Sequence, residues 1–413
     1  MPSRPKRRAM SLLPMNNPIQ EYAWGSKQML ARFLGQEILS PVPQAELWMG
    51  AHPQAPSQVW MNGEWRRLDQ LVNEQPNHLL GKDLERFGPD LPFLLKVLAV
   101  DKPLSLQVHP NAKQAWAGFQ REEVQAVPLQ APERKYKDPN PKPECICALD
   151  HPFWGLCGFR SPAEIIDGFS WLGRQVLEDE IHILGREGGE SQDVLAEMLD
   201  SLLSMKPRRR RRVLEEVEKR AGRNSGHDLR DPAYWLGVLL QEYPQDISVL
   251  AALFLQLVHL EPGQAAFLPP GQLHAYLYGF GLEIMANSDN VLRAGLTPKH
   301  VDIQELMQIL SFDSRPVQIL QPEPVEQGWS RYPLMTEEFA LSVLELGGGC
   351  SELTFAGQGV EILLCTQGEL MIEDEQAEEI RHIGQGQSMC IPSCVSRFKI
   401  SGQGRAYRAQ TGI

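Results

Sequence analysis

The chain has 413 residues, 42% of them apolar and 22% charged, with a formal net charge of −12. These are globular values. The length calls for more than one core, and so acidic a chain gives no general reason to bind nucleic acid.

Seven cysteines without a CxxC pair read as reduced, mostly buried thiols, not as a disulfide framework or a zinc knuckle. Residues 1–10 are basic and lack the apolar run of a signal peptide, so they read as a disordered tail, with Met10 as an alternative start. No stretch reaches transmembrane length. The expectation is a cytoplasmic protein with no membrane partner and no nucleic-acid partner. Residues 15–110 hold short apolar runs broken by Pro, Gly and Asn, of which AELWMG and PFLLKVLAV read as strands. LSLQVHP, residues 104–110, alternates. Leu104, Leu106 and Val108 share one face, and Ser105, Gln107 and His109 share the other. A solvated strand would look like that, and so would a strand lining a metal site. Residues 111–143, polar and rich in Pro, read as one long functional loop.

From residue 161 the texture becomes helical. SPAEIIDGF opens with a capping box, Ser161 at the cap, Pro162 next and Glu164 three residues on. DPAYWLGVLL opens another helix with Asp231 as cap. VLAEMLDSLLSM and RRVLEEVEKRAG between them have helical periodicity. The run Arg208 to Arg212 reads as a solvated helix start facing acidic neighbours. Near residue 253 strands return, and the last hundred residues read as short strands separated by Gly-rich turns. The predicted class is mainly β with a helical insertion: two jelly-roll-like β units plus an α-helical domain. The first β unit takes residues 11–160 and 246–312, the insertion 161–245, and the C-terminal β unit 313–413.

GQAAFLPPGQLH resembles the second half of the cupin motif, with Gly263, Pro269, Gly271 and His274 in its spacing and Tyr278 where an asparagine is usual. In cupins this histidine is a metal ligand on the inner barrel face. The first half usually supplies two histidines two apart, and Gln107 and His109 take that place. Glu144, a lone carboxylate ending the long loop, is the best fourth ligand. Two nitrogens, two oxygens and no thiolate suit zinc at a catalytic site. In SDNVLRAGLTPKH, Asp289-Asn290 and Gly295 signal turns, while Arg293 and Lys299 offer charge for an anion. The C-terminal unit has one histidine, His382, read as structural.

Six ordered pieces then resemble the type I phosphomannose isomerase family: NNPIQEYAWGS (16–26), ELWMGAHPQAPS (46–57), PFLLKVLAVDKPLSLQVHPN (92–111), YKDPNPKPE (136–144), LPPGQLHAYLYG (268–279) and SDNVLRAGLTPKHVD (288–302). The resemblance implies a monomeric enzyme with one Zn²⁺ per chain that interconverts mannose 6-phosphate and fructose 6-phosphate. The family's zinc ligands fall on Gln107, His109, Glu144 and His274. Its catalytic arginine falls on Arg293, and its phosphate-contacting serine and lysine on Ser105 and Lys299. Lys96 and Lys142 match family lysines facing the pocket. One departure is Pro141, where the family usually has a histidine. Isomerisation also needs a base. Glu283, Lys142 and His52 are candidates, and Tyr276 shares a strand face with His274. The rival readings are a metal-dependent cupin acting on another phosphosugar, an iron-dependent cupin oxygenase and a non-catalytic sugar-binding cupin.

Overall fold

The computed structural model describes residues 10–131, 133–221, 228–299, 301–357 and 359–412. The tail expected over residues 1–10 lies, but for Met10, outside them. The protein is mainly β with a helical unit, as expected. The described residues form two antiparallel sheets of 11 strands each, which share one core between them.

The first sheet is organised by the strand His274–Ala286. Its first residues pair with Leu106–Val108 and Phe153–Phe159, and its remainder with Phe93–Val100 and Glu144–Ala148. Phe93–Val100 is buried along its whole length. A nearly continuous apolar run suits a strand covered on both faces. Alternate residues divide between the two sides. Leu95, Val97 and Ala99 enter the core between the sheets, and Leu98 and Val100 line the inner face of the first unit. Lys96 falls on that inner side.

The helical unit covers the outer wall of the same strands. Its helices Pro162–Gly173, Glu178–Leu184, Ser191–Leu203, Pro207–Ala221 and Pro232–Glu242 pack into one core with Leu106, Val108, Leu156, Ala275, Leu292 and Ala294. Leu106 and Val108 are therefore held by the helices, at about 1.5–3 kcal/mol for each fully buried side chain, whereas Leu104, expected on the same face, is half-buried against the inner-face cluster. The Ser161 capping box and the Asp231 cap form as expected. In the arginine run, Arg209 pairs with Asp179 and Glu180.

Three expectations need correction. The stretch 111–143 is not one loop, because Ala112–Val124 is a helix. Asn111 caps it and Gln114 closes a capping box, an Asn-x-x-Gln signal hidden in a polar sequence. The C-terminal unit is not built only of short strands, since Glu361–Asp374 and Arg397–Gln410 have 14 residues each. Gly402 and Gly404 lie within the second of these, where a Cβ on Gly402 would come 2.5 Å from the Glu369 carbonyl oxygen. Those glycines mark close backbone approach, not turns. The sheets also exchange strands across the expected boundaries. Leu13–Asn16, Gln58–Met61 and Glu64–Arg67 extend the C-terminal sheet, and Ile319–Leu320 joins the first. Leu13–Asn16 pairs with Ser388–Ile391 on one side and Gln58–Met61 on the other.

Candidate metal centre and surrounding pocket

Three strands bring the candidate ligands together. On Glu144–Ala148, Cys145 and Cys147 face the core between the sheets, while Ile146 and Ala148 line the inner face. Glu144 falls on the inner side with them. His274 opens the long strand and lies directly opposite Gln107. Directly opposed residues share a sheet face, so their side chains meet. Leu106–Val108 is only three residues long, shorter than the expected strand. Ser105 and His109 flank it, Ser105 half-buried and His109 buried.

The two imidazoles are held in one tautomer by the backbone. His109 Nδ1 lies 2.7 Å from the Asn290 carbonyl oxygen, and His274 Nδ1 lies 2.9 Å from that of Gln272. A carbonyl can only accept, so each Nδ1 carries the proton and each Nε2 is left with a lone pair. Those lone pairs point at a carboxylate. His109 Nε2 is 3.2 Å from Glu144 Oε1, and His274 Nε2 is 3.4 Å from Glu144 Oε2. His109 Nε2 and Glu144 Oε2 are buried without a hydrogen-bond partner. Ligand atoms of His109, Glu144 and His274 all lie within 4.8 Å of one another.

Lone pairs do not gather in a dry site unaided, because each buried polar atom left unpaired costs free energy. A cation among them answers all three at once. Burial holds the His109 imidazole down at about 4, in the neutral form a metal ligand needs. Burial pushes the Glu144 carboxyl up, but His109 and Lys142 outweigh it and hold the group well below its usual range. Lys142 Nζ is 3.0 Å from Glu144 Oε1. The Gln107 amide nitrogen lies 3.3 Å from His274 Nε2. Turning that amide would aim its oxygen at the centre instead.

A second cluster stands beside the first. Trp48, Lys96 and Glu283 form a cross-strand row on the same sheet. Lys96 Nζ is 3.4 Å from Glu283 Oε2 and 3.6 Å from Glu46 Oε2, and it lies over the Trp48 ring. Burial would lower the ammonium's pKa, but Glu46 and Glu283 together keep it raised. Tyr276 donates to Glu283 Oε1 at 2.8 Å, and its ring centroid is 6.0 Å from that of His274. Burial and the charge of Glu144 push the Glu283 carboxyl up. His52 packs edge-on against Trp48, with Nε2 3.3 Å from Asp289 Oδ1.

Positive charge sits on the far side of Gln107. Arg293, on Leu292–Gly295, is directly opposite Gln107 and so follows His274 and Gln107 in one row across three strands. Burial lowers the Arg293 pKa, and the charge of Arg293 lowers that of Lys299. Neither makes an ion pair among the described residues. Two cations left near each other without a carboxylate form a place for an anion.

The structure thus gathers Gln107, His109, Glu144, His274 and Lys142 at one point and Lys96, Glu283 and Tyr276 beside it. His52 stands behind Trp48. Sequence reasoning missed Glu46 and Trp48, which support Lys96, and it read Asn290 only as a turn. ELWMG itself carried no signal for them, because they act only once strand pairing places Lys96 beside Trp48.

Three comparisons bear on this arrangement. Residues 12–162 match the family model "Phosphomannose isomerase type I, catalytic domain". Mannose-6-phosphate isomerase of Escherichia coli K12 is 38% identical over 398 residues, covering 95% of this chain and 97% of its own. The Homo sapiens protein of the same name is 34% identical over 387 residues, covering 88% and 89%. A solved mutant of phosphomannose isomerase from Salmonella typhimurium has a TM-score of 0.90 at 34% identity, covering 98% of this chain and 100% of its own. A zinc-bound mannose 6-phosphate isomerase structure has a TM-score of 0.88, with the same identity and coverage. Likeness of this extent, running through nearly all of both molecules, is the likeness of one family, and this chain belongs to the type I phosphomannose isomerases.

Proposed function

We propose that this protein is a zinc-dependent aldose–ketose isomerase that interconverts mannose 6-phosphate and fructose 6-phosphate. The observation that carries the reading is the convergence of His109, Glu144 and His274, with buried lone pairs that a single cation would satisfy together. Gln107 completes the set. One zinc ion there would supply Lewis acidity toward the sugar's oxygens.

The reaction moves a proton between C1 and C2 through a cis-enediol. Arg293, in the row with His274 and Gln107, stabilises the negative charge that develops on the carbonyl oxygen. Lys299 and Ser105 hold the phosphate and so fix the sugar by its remote end. Glu283 is the favoured proton carrier. It is a buried carboxyl pushed upward, with Tyr276 hydrogen-bonded to one oxygen and Lys96 paired with the other. Lys142 is the second candidate, although Glu144 already engages its ammonium. His52, tied to Asp289, orients the wall that holds Trp48 and Lys96.

The seven cysteines are all free thiols, which fits a reducing cytoplasm. No helix among the described residues is long and apolar enough to cross a membrane.

The test is a coupled assay of mannose 6-phosphate conversion before chelation, after it, and after zinc repletion. Activity that falls with the chelator and returns with zinc is expected. A folded, zinc-loaded sample with no turnover would overturn the assignment of substrate.

A further inference from the structure

Asn290 is 0% exposed and makes more hydrogen bonds than a turn residue needs. Its Oδ1 accepts from the amides of Lys137, at 2.7 Å, and Asp138, at 3.3 Å. Its Nδ2 donates to the carbonyls of Asp138, at 2.7 Å, and Asn140, at 2.9 Å. Its own carbonyl is the acceptor that fixes His109. The neighbours act alike. Ser288 Oγ donates to Asp138 Oδ1 at 2.8 Å, and the Asp289 amide donates to Asp138 Oδ2 at 2.8 Å. Asp289 in turn faces His52.

We propose that Asn290 is a positioning residue that couples two ligand-bearing segments, so that the loop delivering Lys142 and Glu144 and the ring of His109 are set by one side chain and its carbonyl. The proposal rests on reading His109 and Glu144 as zinc ligands. The loop over residues 137–143 contains Pro139, Pro141 and Pro143, which have no amide hydrogen to pair with a neighbouring strand. A segment of that kind cannot fix itself by sheet pairing, and a buried amide side chain with two donors and two acceptor sites replaces the missing ladder. Substituting the side chain leaves the carbonyl on His109 in place but frees the Glu144 arm. The effect therefore falls on ligand placement, before any substrate binds.

The experiment compares wild type and Asn290→Ala in zinc competition against a chromophoric chelator, with hydrogen exchange of the metal-free proteins. About 10- to 100-fold weaker zinc binding is expected, the range found for lost outer-shell partners. Faster exchange over residues 137–144 should accompany it, with the helical unit unchanged. Zinc affinity within about twofold of wild type, with unchanged protection of 137–144, would overturn the proposal; so would a fall in melting temperature alone. Should the alanine variant not fold, Ser288→Ala removes the hydroxyl's bonds in the same clamp, to Asp138, to the Asn140 carbonyl and from the Asn290 amide. It should weaken zinc binding in the same direction by a smaller factor, and an unchanged affinity there would also count against it. Wild type that binds no zinc would instead overturn the reading of His109 and Glu144 as ligands, while exchange over 137–144 would still report on the clamp.

Discussion

Arg293 lies directly opposite Gln107 across the short antiparallel pairing of Leu292–Gly295 with Leu106–Val108. The guanidinium thus ends the cross-strand row that His274 and Gln107 begin, without being a ligand itself. Arg293→Ala should fold, retain its zinc and lose about 100- to 1,000-fold in kcat, as removal of a preorganised charge donor does. Metal content by elemental analysis and kcat from the coupled assay decide it. Near-normal turnover in a zinc-loaded variant would show that Arg293 does not stabilise the reacting charge.

His274 differs because its Nε2 points into the lone-pair cluster. His274→Ala should lose metal and turnover together. In wild type, chelation should lower the melting temperature and zinc should restore it, by about 2.7 kcal/mol at a free zinc concentration one hundred times Kd. In His274→Ala, neither chelator nor low zinc should move the transition much. Calorimetry of both proteins, with and without chelator, provides the check.

Gly295 ends the Arg293 strand with φ +144°, and a Cβ there would stand 1.9 Å from Ser248 Oγ. That hydroxyl is buried and donates to the Ala294 carbonyl at 3.1 Å. Gly295→Ala should therefore shift the strand against the helical unit, at about 1–3 kcal/mol for overpacking. The displacement reaches Arg293, and a kcat loss of roughly tenfold is expected from misplacement of well under 1 Å. Adding Ser248→Gly should restore much of the activity. A double variant no better than the single one would locate the damage elsewhere.

Asp83 gives a pH prediction. It is buried, and it accepts from Thr411 Oγ1 and from the Val360 amide. Burial outweighs those bonds and raises the carboxyl above its ordinary value. The folded state therefore holds this proton more tightly than the unfolded state does. The site favours folding most at acid pH, and that contribution is lost as pH rises from about 4 through the folded pKa. Asp83→Asn, neutral throughout, should gain stability relative to wild type between pH 3.5 and pH 7. Denaturant unfolding of both proteins at the two pH values measures the difference, and a gap that does not widen toward pH 7 would contradict the sign.

Much of the metal centre was legible because its signals are local. Gln107 and His109 are two residues apart on an alternating strand, and His274 sits in a Gly/Pro/Gly/His spacing. Glu144 stood out as a lone carboxylate behind a proline-rich run. What escaped depends on partners distant in sequence. Asn290 binds residues about 150 positions earlier, so its side chain looked like that of any turn. Glu46 and Trp48 gain meaning only when Lys96 is placed beside them by strand pairing. The helix after Asn111 was hidden for a different reason. Its face is polar, and a capping box is a weaker cue than an apolar stripe.

The pairing of Leu13–Asn16 with Ser388–Ile391 sets a schedule for synthesis. A ribosome releases Ser11 long before Asp374, its hydrogen-bond partner 363 positions later. At about 5–20 residues per second, that interval is roughly 20–70 s. Throughout it the first strand of the chain has no partner on that side, and an unpaired edge is an aggregation hazard. The C-terminal sheet can close only once Arg397–Gln410 has been made. Messages that slow elongation between the codons for Leu13–Asn16 and Ser388–Ile391 would prolong that exposure, and a chain cut before Ser388 would leave its first strand without that partner.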